Sequence, residues 1–419
     1  MLNQKSIHAV NKNIFEKIFR KPDPNYCFKN IPDSIFEILS TGKQKSLPND
    51  VFKKEDFDYD NVILILIDAM GWNSLLRNKD SDAFRFLNNN SVISKLTSQF
   101  PATTAAEVTT MHTGIPVSKH GIFEWFYYEP KIDEIIAPII FSYAGDKNRE
   151  TLKSKIEPKL ILPKQTFYKK LNEKNIETHI VCLNDYIGSS YSSVVFNGGR
   201  ITGFKTLEEG LGKIESIIKQ KGNKKKYVNL YYGNLDTAGH NFGPGSKEFN
   251  EELVMIINNL KRFCAKIKKT NKKTLVLITA DHGQKQINLN KTQYINLLFP
   301  EIIPYLKVNK NGTPIVFAGS PRDMFLYIKN EFLEETKSIL EQGLKNVLVI
   351  KTDDLIKQNF FGVNNISNDL KQRLGNLVIF PTKDNGVWWY EKSKFELNYK
   401  GHHGGLLSEE MEIPLIVVY

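Results

Sequence analysis

Apolar runs of about six residues recur along this chain, with amphipathic stretches of helical period between them. Residues 62–67, VILILI, have no polar position, as expected of a strand in a parallel sheet that is covered on both faces. Residues 227–232, 274–279 and 413–418 have the same character. Between them, residues 249–268 place Leu253, Ile256, Ile257, Leu260, Phe263 and Ile267 on one side, which predicts a crossover helix. Strands alternating with helices make this an α/β chain with a mostly parallel central sheet. In three of the four runs an acid follows closely: Asp68 and then Gly71 after the first, Asp236 after the second, and Asp281 with His282 after the third. These groups therefore collect at the carboxyl ends of strands, where open α/β sheets bind their ligands.

The predicted organisation is a core of residues 56–284 with 400–419, interrupted by a cap subdomain at 285–399 that has strand, helix and strand signals around 321–350. Residues 1–55 read as an N-terminal extension packing on that core. At 419 residues, 41% hydrophobic and 25% charged, the chain has the composition of a globular protein with a large buried core. No apolar run approaches the roughly 20 residues needed to span a bilayer, and the first residues carry no secretory-signal pattern, so the expected location is cytoplasmic, with no membrane partner. Cys27, Cys182 and Cys264 are odd in number and widely spaced, which argues against a disulfide framework or a structural zinc site. The formal charge of +11 draws on lysines such as Lys224, Lys225, Lys226 and the pairs Lys268/Lys269 and Lys272/Lys273. Such runs attract polyanions, but without interleaved aromatics they read as solvated surface, and no stable nucleic-acid partner is expected.

The chemistry lies in short segments. Aspartate oxygens and histidine nitrogens are ligands for zinc, and a catalytic site leaves one position open. Asp236 and His240, four apart, face the same side of a helical turn and can grip one ion. Asp281 and His282 are adjacent, and a tight loop at Gly283 lets both point into one cleft. GHHGG adds His402 and His403. In FPATTAAEV, Pro101 disfavours helix just before the threonines, so Thr103 or Thr104 caps the helix that follows. A helix start favours a phosphate, and a metal can turn a threonine hydroxyl into a competent nucleophile. Thr104 is the candidate.

The ordered blocks ILILIDAMGW, FPATTAAEVTTMHTGIPVSKHGI, YYGNLDTAGHNFGPGS, TADHG and GHHGGLLSEEMEIPLIV resemble the alkaline phosphatase superfamily, and within it the type I phosphodiesterase/nucleotide pyrophosphatase family, over about residues 60–419. The resemblance implies an alkaline phosphatase-like three-layer sandwich and two divalent metal ions, zinc or alternatively manganese. One ion would be held by Asp68, Thr104, Asp281 and His282, the other by Asp236, His240 and His403, which directly precedes the first glycine of the HGG-like segment. Thr104 lies nine residues before Thr113, as the family nucleophile lies before its threonine, and would form a phospho-threonyl intermediate. The implied partner is a small phosphodiester or nucleotide, and the implied activity is that of a phosphodiesterase or nucleotide pyrophosphatase. The chain departs from the family at Glu107, where nucleotide pyrophosphatases carry an asparagine that holds a phosphate oxygen. A carboxylate there repels an anionic substrate unless turned away, protonated or paired. Trp125 and Tyr127, in an aromatic segment with Phe123, Phe126 and Tyr128, can stack on a base or pack in the core. With Glu107 they form the candidate substrate-binding set. Two other readings remain: a phosphomonoesterase of the same superfamily, disfavoured because no arginine lies between Arg85 and Arg149, and an inactive phosphate- or nucleotide-binding protein.

Overall fold

The structure, a computed structural model, describes residues 1–53, 57–270, 273–363 and 365–419. Lys272 and the boundary between residues 55 and 56 lie outside the described residues. Seven strands form the central sheet: β1 (Asn61–Ile67), β2 (Ser91–Thr97), β3 (Glu177–Leu183), β4 (Arg200–Phe204), β5 (Lys226–Tyr232), β6 (Thr274–Thr279) and β7 (Glu412–Val418). Their spatial order is β2-β7-β6-β1-β5-β3-β4. β1, β3, β4, β5 and β6 pair in parallel, and only β7 runs against the other strands, pairing antiparallel with β6 on one side and β2 on the other. All seven residues of β1 are buried, which explains its unbroken apolar sequence.

Register sets the site. Ile67 of β1 stands opposite Tyr232 of β5, and Leu66 stands opposite Thr279 of β6, so these strands end together and their following residues share one sheet edge. An antiparallel strand begins where its parallel neighbours end. β7 thus draws the GHHGG loop to that same edge.

Three helices matter below: α1 (Thr104–Thr113), α2 (Asn234–Phe242) and α3 (Lys247–Lys268). α3 buries the predicted stripe of Leu253, Ile256, Ile257, Leu260, Phe263 and Ile267. Ser246 accepts from the Phe249 amide at its start, and two lysines lie in its last turn, where the helix dipole favours cations. The N-terminal residues lie along the outer edge of β2, where Leu2 and Cys27 bridge to Ile93 and Thr97. Residues 285–399 carry an antiparallel three-stranded sheet of Met324–Leu326, Leu377–Pro381 and Val347–Lys351, with helix Leu333–Gly343 joining Met324–Leu326 to Val347–Lys351. Ile295, Ile302, Phe317, Leu340 and Ile379 share an apolar cluster there, whereas Phe325 and Phe380 join the main core. Among the described residues no helix is long and apolar enough to cross a membrane.

Candidate functional site

Asp68 follows the last residue of β1, and Asp281 follows β6 by two residues. Both are buried, as is His282. Gly71 and Gly283 allow this crowding, because a β-carbon on Gly71 would stand 2.7 Å from the Gly283 Cα. His282 Nε2 lies 3.5 Å from Asp68 Oδ1 and 3.6 Å from Asp281 Oδ2. On α2 the four-residue spacing works as expected: His240 Nε2 stands 3.2 Å from Asp236 Oδ2. His403 Nε2 stands 4.0 Å from Asp236 Oδ1, and its ring stacks on His282 with centroids 3.7 Å apart. His402 is buried beside His240.

The two threonines separate cleanly. Thr103 is the cap of α1, its hydroxyl accepting from the Ala106 amide at 3.3 Å and donating to the Phe123 carbonyl at 2.7 Å. Thr104 begins the helix, and its Oγ1 lies 3.1 Å from His282 Nε2. Thr104 is thus the hydroxyl brought to the cluster.

His240, His282 and His403 each present the same nitrogen inward. Nδ1 of His240 faces the Gly401 carbonyl at 2.7 Å, that of His282 the Gly283 carbonyl at 3.1 Å, and that of His403 the Ala102 carbonyl at 3.2 Å. A carbonyl accepting from Nδ1–H leaves Nε2 unprotonated with a free lone pair, the state a metal ligand needs. Two ligand groups result, Asp236 with His240 and His403, and Asp68 with Asp236 and His282; within each, the ligand atoms lie within 4.8 Å of one another. Asp236 belongs to both, so it stands between the two positions.

Three supporting residues escaped the sequence reading. The Tyr231 hydroxyl donates to Asp68 Oδ2, the Gln284 amide donates to the carboxylate and carbonyl of Asp236, and the Ser98 hydroxyl donates to the Asp281 carbonyl. Gln284 follows DHG directly and Tyr231 is next to last in β5, so position beside a ligand was the available signal.

The electrostatics call for cations. Burial, then the neighbouring acids, push Asp68 well above the usual carboxylate range. Burial likewise raises Asp281 to about 7. Burial also opposes ionisation of Asp236, but His240 and the other histidines outweigh it and hold that group below its ordinary value. Burial lowers His282 to about 4 and His403 well below its usual value. Asp68 Oδ1 and Asp281 Oδ2 are buried with no hydrogen-bond donor. Unpartnered buried carboxylate oxygens are costly, and here they converge with imidazole nitrogens. The donor set fits divalent metal ions.

A cavity of about 210 Å³ opens from this cluster and is lined by Asp68, Thr104, Asp236, Trp125, Tyr186 and Arg149, among others. Of the substrate-binding candidates only Trp125 reaches it. Tyr127 is wholly buried, stacked on Phe123 beneath the Arg373 guanidinium, and packs in the core. Glu107 is a correction as well: it is fully buried on α1, its carboxylate accepting from the Gln99 backbone and side-chain amides, and it does not face the cavity. Arg149, far in sequence from the nucleophile segment, does line the cavity.

This mostly parallel sheet, with its site at one edge, defines an α/β fold of the alkaline phosphatase superfamily. Among solved structures, murine ectonucleotide pyrophosphatase/phosphodiesterase 5 superposes with a TM-score of 0.61 at 16% identity, over 85% of this chain and 87% of that one. Phosphonoacetate hydrolase from Sinorhizobium meliloti superposes with a TM-score of 0.58 at 16% identity, over 85% and 89%. The sequence pattern of the type I phosphodiesterase/nucleotide pyrophosphatase family matches residues 62–406, and the chain belongs to that family. A venom phosphodiesterase of Macrovipera lebetinus is 29% identical over 199 residues, 42% of this chain and 23% of that protein. The match thus spans about a quarter of the venom enzyme's length.

Proposed function

We propose that the protein is a metal-dependent phosphodiesterase or nucleotide pyrophosphatase that uses Thr104 as its nucleophile. The observation that carries this is the Thr104 hydroxyl at 3.1 Å from His282 Nε2, within a cluster whose buried carboxylate oxygens lack donors. Asp68, Asp281, His282 and Thr104 would hold one divalent ion and Asp236, His240 and His403 the other, with zinc favoured by the mixed oxygen and imidazole donors. When bound, such ions neutralise phosphoryl oxygens and favour the ionised hydroxyl. The start of α1 adds positive potential at the phosphate. Thr104 Oγ1, having lost its proton, bonds to phosphorus as the leaving-group oxygen departs. Water then bonds to phosphorus, the threonine oxygen leaves and takes up a proton, and one water is consumed overall. Trp125, in the cavity wall, provides an apolar surface for the group that the ester carries. A nucleotide is a reasonable occupant, since an inactive variant of the murine neighbour was solved in complex with AMP.

Arg149 favours the second reading, a phosphomonoesterase, because a guanidinium in the cavity wall can hold the extra charge of a terminal phosphate. Hydrolysis of bis-p-nitrophenyl phosphate, p-nitrophenyl phosphate and the p-nitrophenyl ester of thymidine monophosphate by zinc-loaded protein separates the two. Diester cleavage that disappears in Thr104→Ala supports the first reading, monoester preference the second. Absence of turnover on all three with two metals bound would sink both and leave a binding role. A cytoplasmic location is part of the proposal, on the strength of three buried, unpaired cysteines. Recovery in an oxidising compartment on cell fractionation would contradict it.

A further inference from the structure

Next to the cavity-lining Trp125, two acids outside the ligand cluster face each other. Glu124, which precedes Trp125, and Asp323, in the 285–399 segment, are both buried. Each has one oxygen accounted for: Glu124 Oε2 accepts from the Trp125 amide at 2.5 Å, and Asp323 Oδ1 accepts from the Ser320 amide at 3.0 Å. Their remaining oxygens, Glu124 Oε1 and Asp323 Oδ2, are buried without a donor. The side chains lie within hydrogen-bonding reach of one another, and burial raises both, Glu124 to about 8 and Asp323 well above its ordinary value. The pair is pressed against the metal-side loop. A β-carbon on Gly404, whose φ of +109° already favours glycine, would stand 2.5 Å from Asp323 Oδ1, 2.8 Å from Ser320 Oγ and 2.9 Å from Glu124 Oε1. Ser320 Oγ bridges outward, 2.6 Å from Asp323 Oδ1 and 2.7 Å from the His403 carbonyl.

We propose that Glu124 and Asp323 share a single proton between Oε1 and Oδ2, and that this pair, through Ser320, is a positioning unit that fixes His403 and Trp125. Two ionised carboxylates cannot share a buried site without a compensating charge, and one proton supplies it. Its geometry ties three distant segments to the site: the aromatic segment by the Trp125 amide, the 285–399 segment by Asp323, and the GHHGG loop by Ser320 and Gly404. The proposal rests on His403 being a metal ligand.

A single shared proton has a signature that packing lacks. Asp323→Asn keeps the acceptor toward Ser320 and places an N–H where the proton was, and Glu124→Gln does the same from the other side. The double variant sets two NH2 groups against each other. The test is zinc affinity by chelator competition, with metals per chain counted by mass spectrometry. Expected are two metals in the wild type, wild-type affinity in each single amide variant, and about a 10- to 100-fold loss for one ion in Asp323→Ala, Ser320→Ala and the double amide variant. Ser320→Ala, which leaves both carboxyls in place, covers the case in which Asp323→Ala fails to fold. Single amides as damaging as alanine, or a third metal per wild-type chain, would replace the proton by a bound cation and overturn the proposal. Unchanged affinity in Ser320→Ala and the double variant overturns the positioning role. A wild type that binds no metal overturns the underlying assignment of His403 and the proposal with it.

Discussion

Asp68, Asp281 and His282 sit on the turns after two neighbouring parallel strands, and none is more than 2% exposed; Asp236, His240 and His403 come from a helix and a loop, with side chains 14 to 20% exposed. The inner group is held by backbone: Asp281 Oδ1 accepts from the amides of Ala69 and His282 at 3.1 and 2.9 Å. Its free carboxylate oxygens face the His282 ring, which burial keeps neutral, at 3.5 and 3.6 Å. The outer group partly neutralises itself through the His240–Asp236 pair. Burial lowers His240, yet Asp236 overrides that and raises it. The lesson is that one candidate ligand group is built into the sheet, while the other is assembled by side chains that partly neutralise one another. Chelation is therefore expected to remove the outer ion first.

Several variants sharpen or break this contrast. Asp281→Ala should remove the inner ion and lower kcat/KM by more than about 10⁴-fold, near 5 kcal/mol in the barrier. Activity within tenfold of wild type, with both metals counted, would break the contrast at its strongest point. Thr104→Ala should cost roughly 10³-fold or more in kcat while both ions stay bound, since only the nucleophile is gone. His240→Ala should release one ion and cost on the order of 10²-fold, less than the inner variant. Equal losses in His240→Ala and Asp281→Ala would erase the difference between the two positions.

The metal-free protein offers a test in pH. Asp281 is raised in the folded state, so its contribution to stability is present below about pH 4 and is lost as pH rises through about 7. Asp281→Asn imitates the neutral carboxyl. It should therefore raise the Tm of chelated protein most above pH 7, with the gain fading toward pH 4. The smallest effect on catalysis is expected at Glu107→Gln: kcat/KM within about threefold, but stability lower by about 1–3 kcal/mol, because an amide now opposes the Gln99 amide. A large loss of activity with Tm unchanged would return Glu107 to the substrate.

β1, β5, β6 and β7 are legible in the sequence because both faces are covered, so their runs are nearly pure apolar residues. β2 is not, for Ser94, Lys95 and Thr97 interrupt it. The structure buries Lys95 by pairing it with Glu412 at 2.7 Å, a partner 317 positions away that local pattern cannot supply. Asp68, Asp236, Asp281 and His282 could be read because ligand types follow strands, and His240 from its four-residue spacing to Asp236, whereas His403 was singled out only by the family resemblance. The orientation of Glu107 and Tyr127 could not, since it depends on which helix face meets Gln99 and where Arg373 enters the core. Tyr231 and Gln284 act only through contacts that folding creates.

The placement of β7 bears on how the chain reaches this state. It follows every other strand of the sheet in sequence, yet it lies inside the sheet, between β6 and β2, pairing Glu412 with Thr97 and Val418 with Ser91. Closing that ladder joins residues more than 300 apart, the kind of pairing that makes folding slow. During synthesis β2 and β6 each present an unpaired strand edge until β7 emerges from the ribosome, an interval in which a nascent chain is prone to self-association and a natural client for chaperones.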